Sequence, residues 1–487
     1  MIKRNLVYNV IYHVLLNLLP LITAPYISRT LGATTIGIYS YTNSVAYYFL
    51  LFAMLGISNH GNRCVAAARD NKSDLNKVFS SIFLLQMTTF GIAIVAYIGY
   101  IIFFEVENSV IAILQLLYVA SGLFDINWLF FGLEKFKFTV TRNVIIKLVS
   151  VVCIFIFVQT ANDLWKYTLI MSAGVFLSQL FLWTYVRKFV SFTRVSFSVI
   201  ISNIKPIFYM FIPVLSYSIY KVMDKIMLGN MATYEQVGFF QSSDKIINIP
   251  MGIITALGTV MLPRMSNIIA KGDTEKTQEY IRISLKFVTI LCSAIAFGLM
   301  GISPVFTPIY LGSDFAECAP IITLLSISMF SVAWANVIRT QYLIPLHYDR
   351  VYILSTLIGA VLNFIVNYFL IPVYQAYGAA IGTIVAEFSV MIIQVVSVRK
   401  AIPVLRYIWS YTPVILSGFA MLLITREIGS YFGTGVFTLL GQIFIGGLFF
   451  CCVILMFMVF SKDEMYTMIM KNIKSKKKYK TKAVKIY

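Results

Sequence analysis

Residues 213–230 read PVLSYSIYKVMDKIMLGN, a stretch apolar enough to lie in a membrane that carries Lys221, Asp224 and Lys225 near its middle. Positions i, i+3 and i+4 share one helix face, so two ammonium groups and a carboxylate point the same way. A charge at mid-bilayer costs about 2.5–3.5 kcal/mol on insertion scales, so such groups normally face a protein interior or a water-filled cavity. The plainer alternative is a snorkelling pair near a helix end, with Asp224 as its counter-ion. What the other spans contribute decides between these readings.

Of the 487 residues, 59% are hydrophobic and 12% charged, and the mean hydropathy is +0.83. Soluble domains carry about 25% charged residues, so the expected class is an all-α polytopic membrane protein. A net charge of +19 raises nucleic-acid binding as an option. The charge is spread along the loops, however, and reads as positive-inside bias plus attraction to anionic lipid. The six cysteines have neither metal-ligand nor disulfide-framework spacing, and the three histidines are far apart in sequence. No metal site, nucleotide loop or hydrolase motif stands out, so no cofactor is expected and the chain reads as a non-enzyme. The first apolar stretch is not followed by a small-residue cleavage site leading into a soluble domain, so it is expected to be a span, not a removable signal peptide.

About 20 apolar residues cross a bilayer. On that measure fourteen helical spans are expected, near 6–28, 36–57, 78–104, 109–131, 141–159, 164–186, 206–229, 237–262, 286–304, 320–344, 352–371, 377–398, 408–425 and 435–460. The loops and the two terminal segments then divide 31 basic residues on one side from three on the other (Arg29, Lys166 and Arg426). An even number of spans with both termini cytoplasmic satisfies that bias. The outer loops are short and partly acidic, with Glu105, Glu107, Asp314 and Glu317.

SRTLGATTIGIYSYTNS at 28–44 is echoed by DKIMLGNMATYEQVGFFQSSDK at 224–245, with Leu31-Gly32 matching Leu228-Gly229 and Ile36-Gly37 matching Val237-Gly238 across a four-residue insertion. WLFFGLEKFKFTVTR at 128–142 is echoed by QYLIPLHYDRVYILS at 341–355. Both echoes imply two parallel copies of a six-helix unit enclosing a midplane cavity. The expected organisation is an N-lobe at 1–188, an interfacial linker at 189–205, a C-lobe at 206–400, two extra spans at 401–461 and a basic tail at 462–487.

Polar residues inside spans point to the inner face. They include Asn17, Gln86, Asn127, Asn363 and Asn367, although a lone Asn or Gln is more often an ordinary interhelical hydrogen bond. The cations are harder to dismiss. Arg29, Lys221, Lys225, Lys245 and Arg339 suit an anionic, phosphate-bearing ligand, with Asp224 and Asp244 as internal counter-ions. Asp125, Asp224 and Glu387 are candidates for H+ or Na+ coupling. Pro20, Pro25, Pro213 and Pro250, the last with Gly252 and Gly258, are expected to kink or break their spans.

NLLPLITAPYISRTLGATTIGIYSY and LGISNHGNR resemble the opening of the Wzx-type bacterial polysaccharide flippases. So do DINWLFFGLEKFKFTVTRNVIIKL at 125–148, ANDLWKY at 161–167, DKIMLG at 224–229 and YGAAIGTIVAE at 377–387. The resemblance covers most of residues 1–400 and is weakest over the last two spans and the tail. That family lies in the multidrug/oligosaccharidyl-lipid/polysaccharide exporter superfamily, whose fold has two six-helix lobes around a central cavity. The resemblance implies transfer of an undecaprenyl-pyrophosphate-linked oligosaccharide across the bacterial cytoplasmic membrane, for O-antigen, capsule or other exopolysaccharide. It implies a polysaccharide polymerase and a chain-length regulator as partners, and it carries over Arg29 and the Lys221/Asp224/Lys225 face. A peptidoglycan-precursor flippase, a multidrug/cation antiporter and a membrane-embedded polymerase are the competing readings. An antiporter cavity should be acidic or apolar, and a polymerase should show a large external loop.

Overall fold

A computed structural model describes residues 2–104 and 107–460, with side chains from Leu19 onward except at positions 136, 217 and 220. The basic tail, Glu105 and the side chains of Lys3, Arg4 and Asn17 lie outside the described residues. Among the described residues eleven helices are long and apolar enough to cross a membrane. One of these, Asp349–Val398, breaks at Gln375 (φ 51°). It folds back there, bringing Gly382 against the side chain of Asn367. It therefore supplies two spans. The first helix, Ile2–Met54, is likewise two helices meeting at Gly32 (φ 77°). With that first helix, which is not one of the eleven, counted as two, the described residues supply the fourteen spans expected from hydropathy, a polytopic all-helical fold.

Two compact units emerge from the packing. One comprises residues 1–245, 310–321 and 356–386, the other 246–309, 322–355 and 387–487.

In the first unit, the polar groups that helix breaks set free are answered one by one. Proline at position i removes the hydrogen bond to the carbonyl at i−4, so Pro25 releases the carbonyl of Leu21. The Tyr310 hydroxyl donates to that carbonyl at 2.6 Å. The fourth span ends its α-helix at Ser121, passes through a tight turn at Gly122–Phe124 and resumes at Asn127. Gln86, fully buried on the Lys72–Phe103 helix, donates to the carbonyls of Gly122 at 2.7 Å and Asp125 at 2.9 Å. Its own carbonyl accepts the indole N–H of Trp128 at 3.1 Å. Unanswered backbone groups are costly in lipid, so Gln86 is what lets this span break.

Arg142, read from sequence as a loop cation, is only 3% exposed within the Phe136–Phe157 helix. It donates to Gln179 and Asn127, each at 3.1 Å. The linker after Val186 docks by Phe192, which packs on Phe79, Phe83 and Trp183.

Both sequence echoes have a geometric counterpart. Within the first unit, Gly37 lies against the backbone of Tyr234 and Gly238 lies against the backbone of Ala33. Each glycine touches the residue four places before its echo partner. That is the reciprocity of an isologous, two-fold contact.

The second echo is a turn. Glu134 (φ 57°) and His347 (φ 57°) occupy equivalent positions of their segments, and both are left-handed. Around the first, Glu134 N–H bonds Phe131 O and Lys135 N–H bonds Phe130 O. Around the second, His347 N–H bonds Ile344 O and Tyr348 N–H bonds Leu343 O. This paired 5→2 and 6→1 pattern is a Schellman helix stop, built twice without glycine.

In the second unit, the last two spans, Thr412–Phe432 and Val436–Phe460, pack on each other and on the Thr274–Tyr310 helix. Gly418 sits against Phe297, Gly301 against Thr425, and Gln442 donates to the Thr425 carbonyl at 2.6 Å. Arg426 bonds the Met300 carbonyl and the Thr323 hydroxyl. The break expected at Pro250, Gly252 and Gly258 is not there: the helix runs unbroken from Tyr234 to Ala270. Gly258 instead admits the side chains of Asn336 and Thr340.

Candidate functional site

The stretch at 213–230 lies in one helix, Ile204–Met231, and its charged face is met by two further helical segments of the same unit. Asp224 is 3% exposed. One carboxylate oxygen accepts the side-chain amide of Asn367 at 2.6 Å and the other accepts the Thr383 hydroxyl at 2.8 Å. Those two donors stand on opposite arms of the hairpin broken at Gln375. The break therefore has a local function: it brings residues 16 apart in sequence to one carboxylate.

Lys225, next along the helix, pairs with Asp244 on the Tyr234–Ala270 helix at 3.9 Å. The two side chains are 14% and 27% exposed, a depth at which an ion pair keeps some water and stays separable by a ligand. Lys245 lies within electrostatic reach of both Lys225 and Asp244, and half-buried Lys221 is one turn below Lys225. Tyr48 completes the surroundings, interacting with Asp224 while its hydroxyl donates to the Ser218 carbonyl at 3.3 Å.

Five of the residues expected from sequence, Lys221, Asp224, Lys225, Asp244 and Lys245, therefore gather in one place. Arg29 belongs to the same unit but is exposed near the end of its helix, against Gly312; Ser28 beside it donates to the Leu311 carbonyl at 2.7 Å. Asp125 is engaged structurally, accepting the backbone N–H of Asn127 at 2.9 Å and its side-chain amide at 2.6 Å. Arg339 and Glu387 fall in the other unit. There Arg339 starts a π-helical turn, Arg339–Leu343, with its guanidinium over the Tyr352 ring at 5.5 Å. Glu387 is 4% exposed in the second arm of its hairpin.

Thr383 and Tyr48 were not among the sequence candidates. Thr383 stands one helical turn before Glu387 in the small-residue run YGAAIGTIVAE, and a hydroxyl on such a helix face is the signal that was available. Tyr48 is one aromatic among many, and nothing in its surroundings marks it.

The cluster can therefore do two things. It offers cations whose carboxylate partner a phosphate could replace, and it holds a buried carboxylate whose two donors depend on its charge.

Comparison with known proteins places residues 2–269 in the match to a family model described as a polysaccharide biosynthesis protein. A provisionally named O-antigen transporter of Shigella dysenteriae is 24% identical over 82% of this chain and all of its own length. A second of the same name, from Escherichia coli K12, is 22% identical over 82% of this chain and 97% of its own. Among solved structures, the lipid II flippase MurJ in an inward closed conformation superposes with a TM-score of 0.74 at 16% identity, over 93% of this chain and 98% of that one. An inward-facing multidrug transporter of the MATE family gives 0.57 at 13% identity, over 80% of this chain and 99% of that one.

Proposed function

We propose, from the premise that this chain belongs to the polysaccharide biosynthesis protein family, that it is a flippase for a lipid-linked oligosaccharide. The substrate is an undecaprenyl-pyrophosphate-linked repeat unit, carried across the bacterial cytoplasmic membrane for O-antigen, capsule or other exopolysaccharide. On this reading the protein is a transporter, not an enzyme. Both termini are cytoplasmic, and two six-helix lobes work by alternating access. A polymerase and a chain-length regulator act on what it delivers. The observation that carries the reading is the Lys225–Asp244 pair beside Lys245. A pyrophosphate needs positive charge that is present but not locked away, and a half-buried pair at 3.9 Å offers that. A cation antiporter would have no use for this excess of lysine.

Asp224 is the coupling position on this reading. While ionised, it accepts from both Asn367 and Thr383 and ties the Ile204–Met231 helix to the hairpin. Protonation or Na+ binding would spend that acceptor capacity and loosen the tie, a change that an ion gradient can drive. The test of the main reading is Lys225→Ala in a strain that depends on this gene product. Surface polysaccharide should be lost and lipid-linked units should stay on the cytoplasmic leaflet; normal surface display would overturn it.

A further inference from the structure

A recess lies close to the lysine cluster, within the first unit. It is a cavity of about 490 Å³ between the second, third and seventh spans, the start of the eighth and the loop at Glu107, inside the usual range for small-molecule sites of about 300–1000 Å³. Four tyrosines, Tyr41, Tyr48, Tyr100 and Tyr234, face it together with Asn230 and Glu107. Their polar ends are organised. Tyr41 donates to the side-chain amide oxygen of Asn230 at 2.9 Å, Tyr100 interacts with Tyr41, and Tyr234 interacts with Glu107. Rings supply flat apolar faces, while hydroxyls, an amide and a carboxylate supply hydrogen bonds. That pairing of a flat face with a polar edge is what a pyranose presents in return.

The charge of the recess is opposite to that of its neighbour. Among the described residues its lining carries one carboxylate, Glu107, and no cation, so it repels phosphate and acidic sugars. It is also continuous with the lysines. Tyr48 lines it and also interacts with Asp224, which adjoins Lys225 in the chain.

We propose that this cavity is a sugar subsite that takes a neutral or amine-bearing pyranose and rejects an acidic one, while the neighbouring lysines hold the phosphate. The proposal rests on the flippase reading for its biological ligand but not for its chemistry. One molecule would then be gripped at two adjacent places by opposite means.

The test uses the full-length purified protein in detergent, with free N-acetylglucosamine and free glucuronic acid as probes, read by saturation-transfer NMR. N-acetylglucosamine should give a signal in the wild type that falls at least fivefold in Tyr100→Ala and persists in Lys225→Ala. Glucuronic acid should give little signal in the wild type and gain it in Glu107→Gln, an exposed position whose substitution leaves the packing alone. No wild-type signal for N-acetylglucosamine, an equal signal for both sugars, or no loss in a folded Tyr100→Ala would each overturn the subsite. Failure here with a Lys225→Ala strain still blocked in surface display would remove the subsite and leave the flippase reading intact. The reverse pattern would do the opposite.

Discussion

Gly37 and Gly238 hold matching places in two copies of one motif, and each lies where a side chain would strike the other copy's helix: a Cβ on Gly37 would come within 1.6 Å of the Tyr234 carbonyl oxygen, and one on Gly238 within 2.0 Å of that of Ala33. The backbones are therefore in direct contact, and the contact must separate if these helices part during transport. Gly37→Ala and Gly238→Ala should each destabilise by about 1–3 kcal/mol, the usual cost of overpacking, and reduce surface polysaccharide. Gly91→Ala is the control, since nothing lies within 4 Å of its position. Thermal denaturation in detergent reads the first effect. Melting curves for Gly37→Ala and Gly91→Ala that coincide would contradict the contact.

The Lys225–Asp244 pair can be tested by exchange as well as by deletion. Lys225→Arg should keep substantial transport, because the positive charge stays. Asp244→Asn should weaken transport less than Lys225→Ala, since it leaves the cations and removes only their competitor. Quantifying surface polysaccharide by gel against expression level gives the ranking. Equal loss in all three would mean that the pair is structural and that phosphate binding lies elsewhere.

Asp224→Asn keeps the size of the side chain but not its charge. The variant should fold, and transport in sealed vesicles should lose its dependence on an imposed pH or Na+ gradient. Asn367→Ala should act in the same direction with a smaller effect, because Thr383 still donates. A wild-type response to either gradient that survives unchanged in Asp224→Asn would exclude this carboxylate as the coupling group.

Removing the side chain of Gln86 takes a partner from four polar groups at once, the carbonyls of Gly122, Leu123 and Asp125 and the indole of Trp128, of which the Gly122 carbonyl keeps the Asp125 N–H. Each buried group left without a bond costs about 1–3 kcal/mol. Gln86→Leu should therefore lower thermal stability more than any single cavity substitution, by several kcal/mol. An unchanged melting temperature would mean the broken span can answer its own backbone.

The two glycine-free helix stops make a prediction of opposite sign. A side chain in the left-handed region costs about 1–2 kcal/mol, part of which glycine returns through its freer unfolded chain. His347→Gly should thus stabilise by about 1 kcal/mol. Glu134→Gly should gain less, because it gives up an exposed, solvent-screened ion pair with Arg69 at 2.7 Å. Paired melting curves would show the order, and a loss in His347→Gly would refute it.

The spans could be read from the sequence because lipid imposes one rule on every one of them: about twenty apolar residues, and a helix. The charged face at Lys221, Asp224 and Lys225 could be read for the same reason, since charge within a span is rare enough to stand out. What could not be read was partnership. Asn367 and Thr383 reach Asp224 because the chain turns back at Gln375, in the gap between the expected spans 352–371 and 377–398 that Pro372 and Gly378 flank; the turn could be read, but not the carboxylate it serves. Gln86 looked like a cavity residue and Arg142 like a loop cation, yet one answers a broken helix and the other is buried among amides. A polar side chain in a span declares that it has a partner, but its sequence position does not say which. Pro250 shows the converse: a recognised breaker fails to break its helix.

The reach from Asp224 to its donors also has a consequence in time. Asn367 follows Asp224 by 143 residues and Thr383 by 159, so neither exists when the Ile204–Met231 helix first enters the membrane. At about 5–20 residues per second, the carboxylate waits roughly 7–30 s for the first of them. During that interval its company is Tyr48, already made, the lysines beside it and whatever water the insertion machinery admits. The order of synthesis thus makes the two neighbouring ammonium groups the escort of a charge whose permanent partners arrive last.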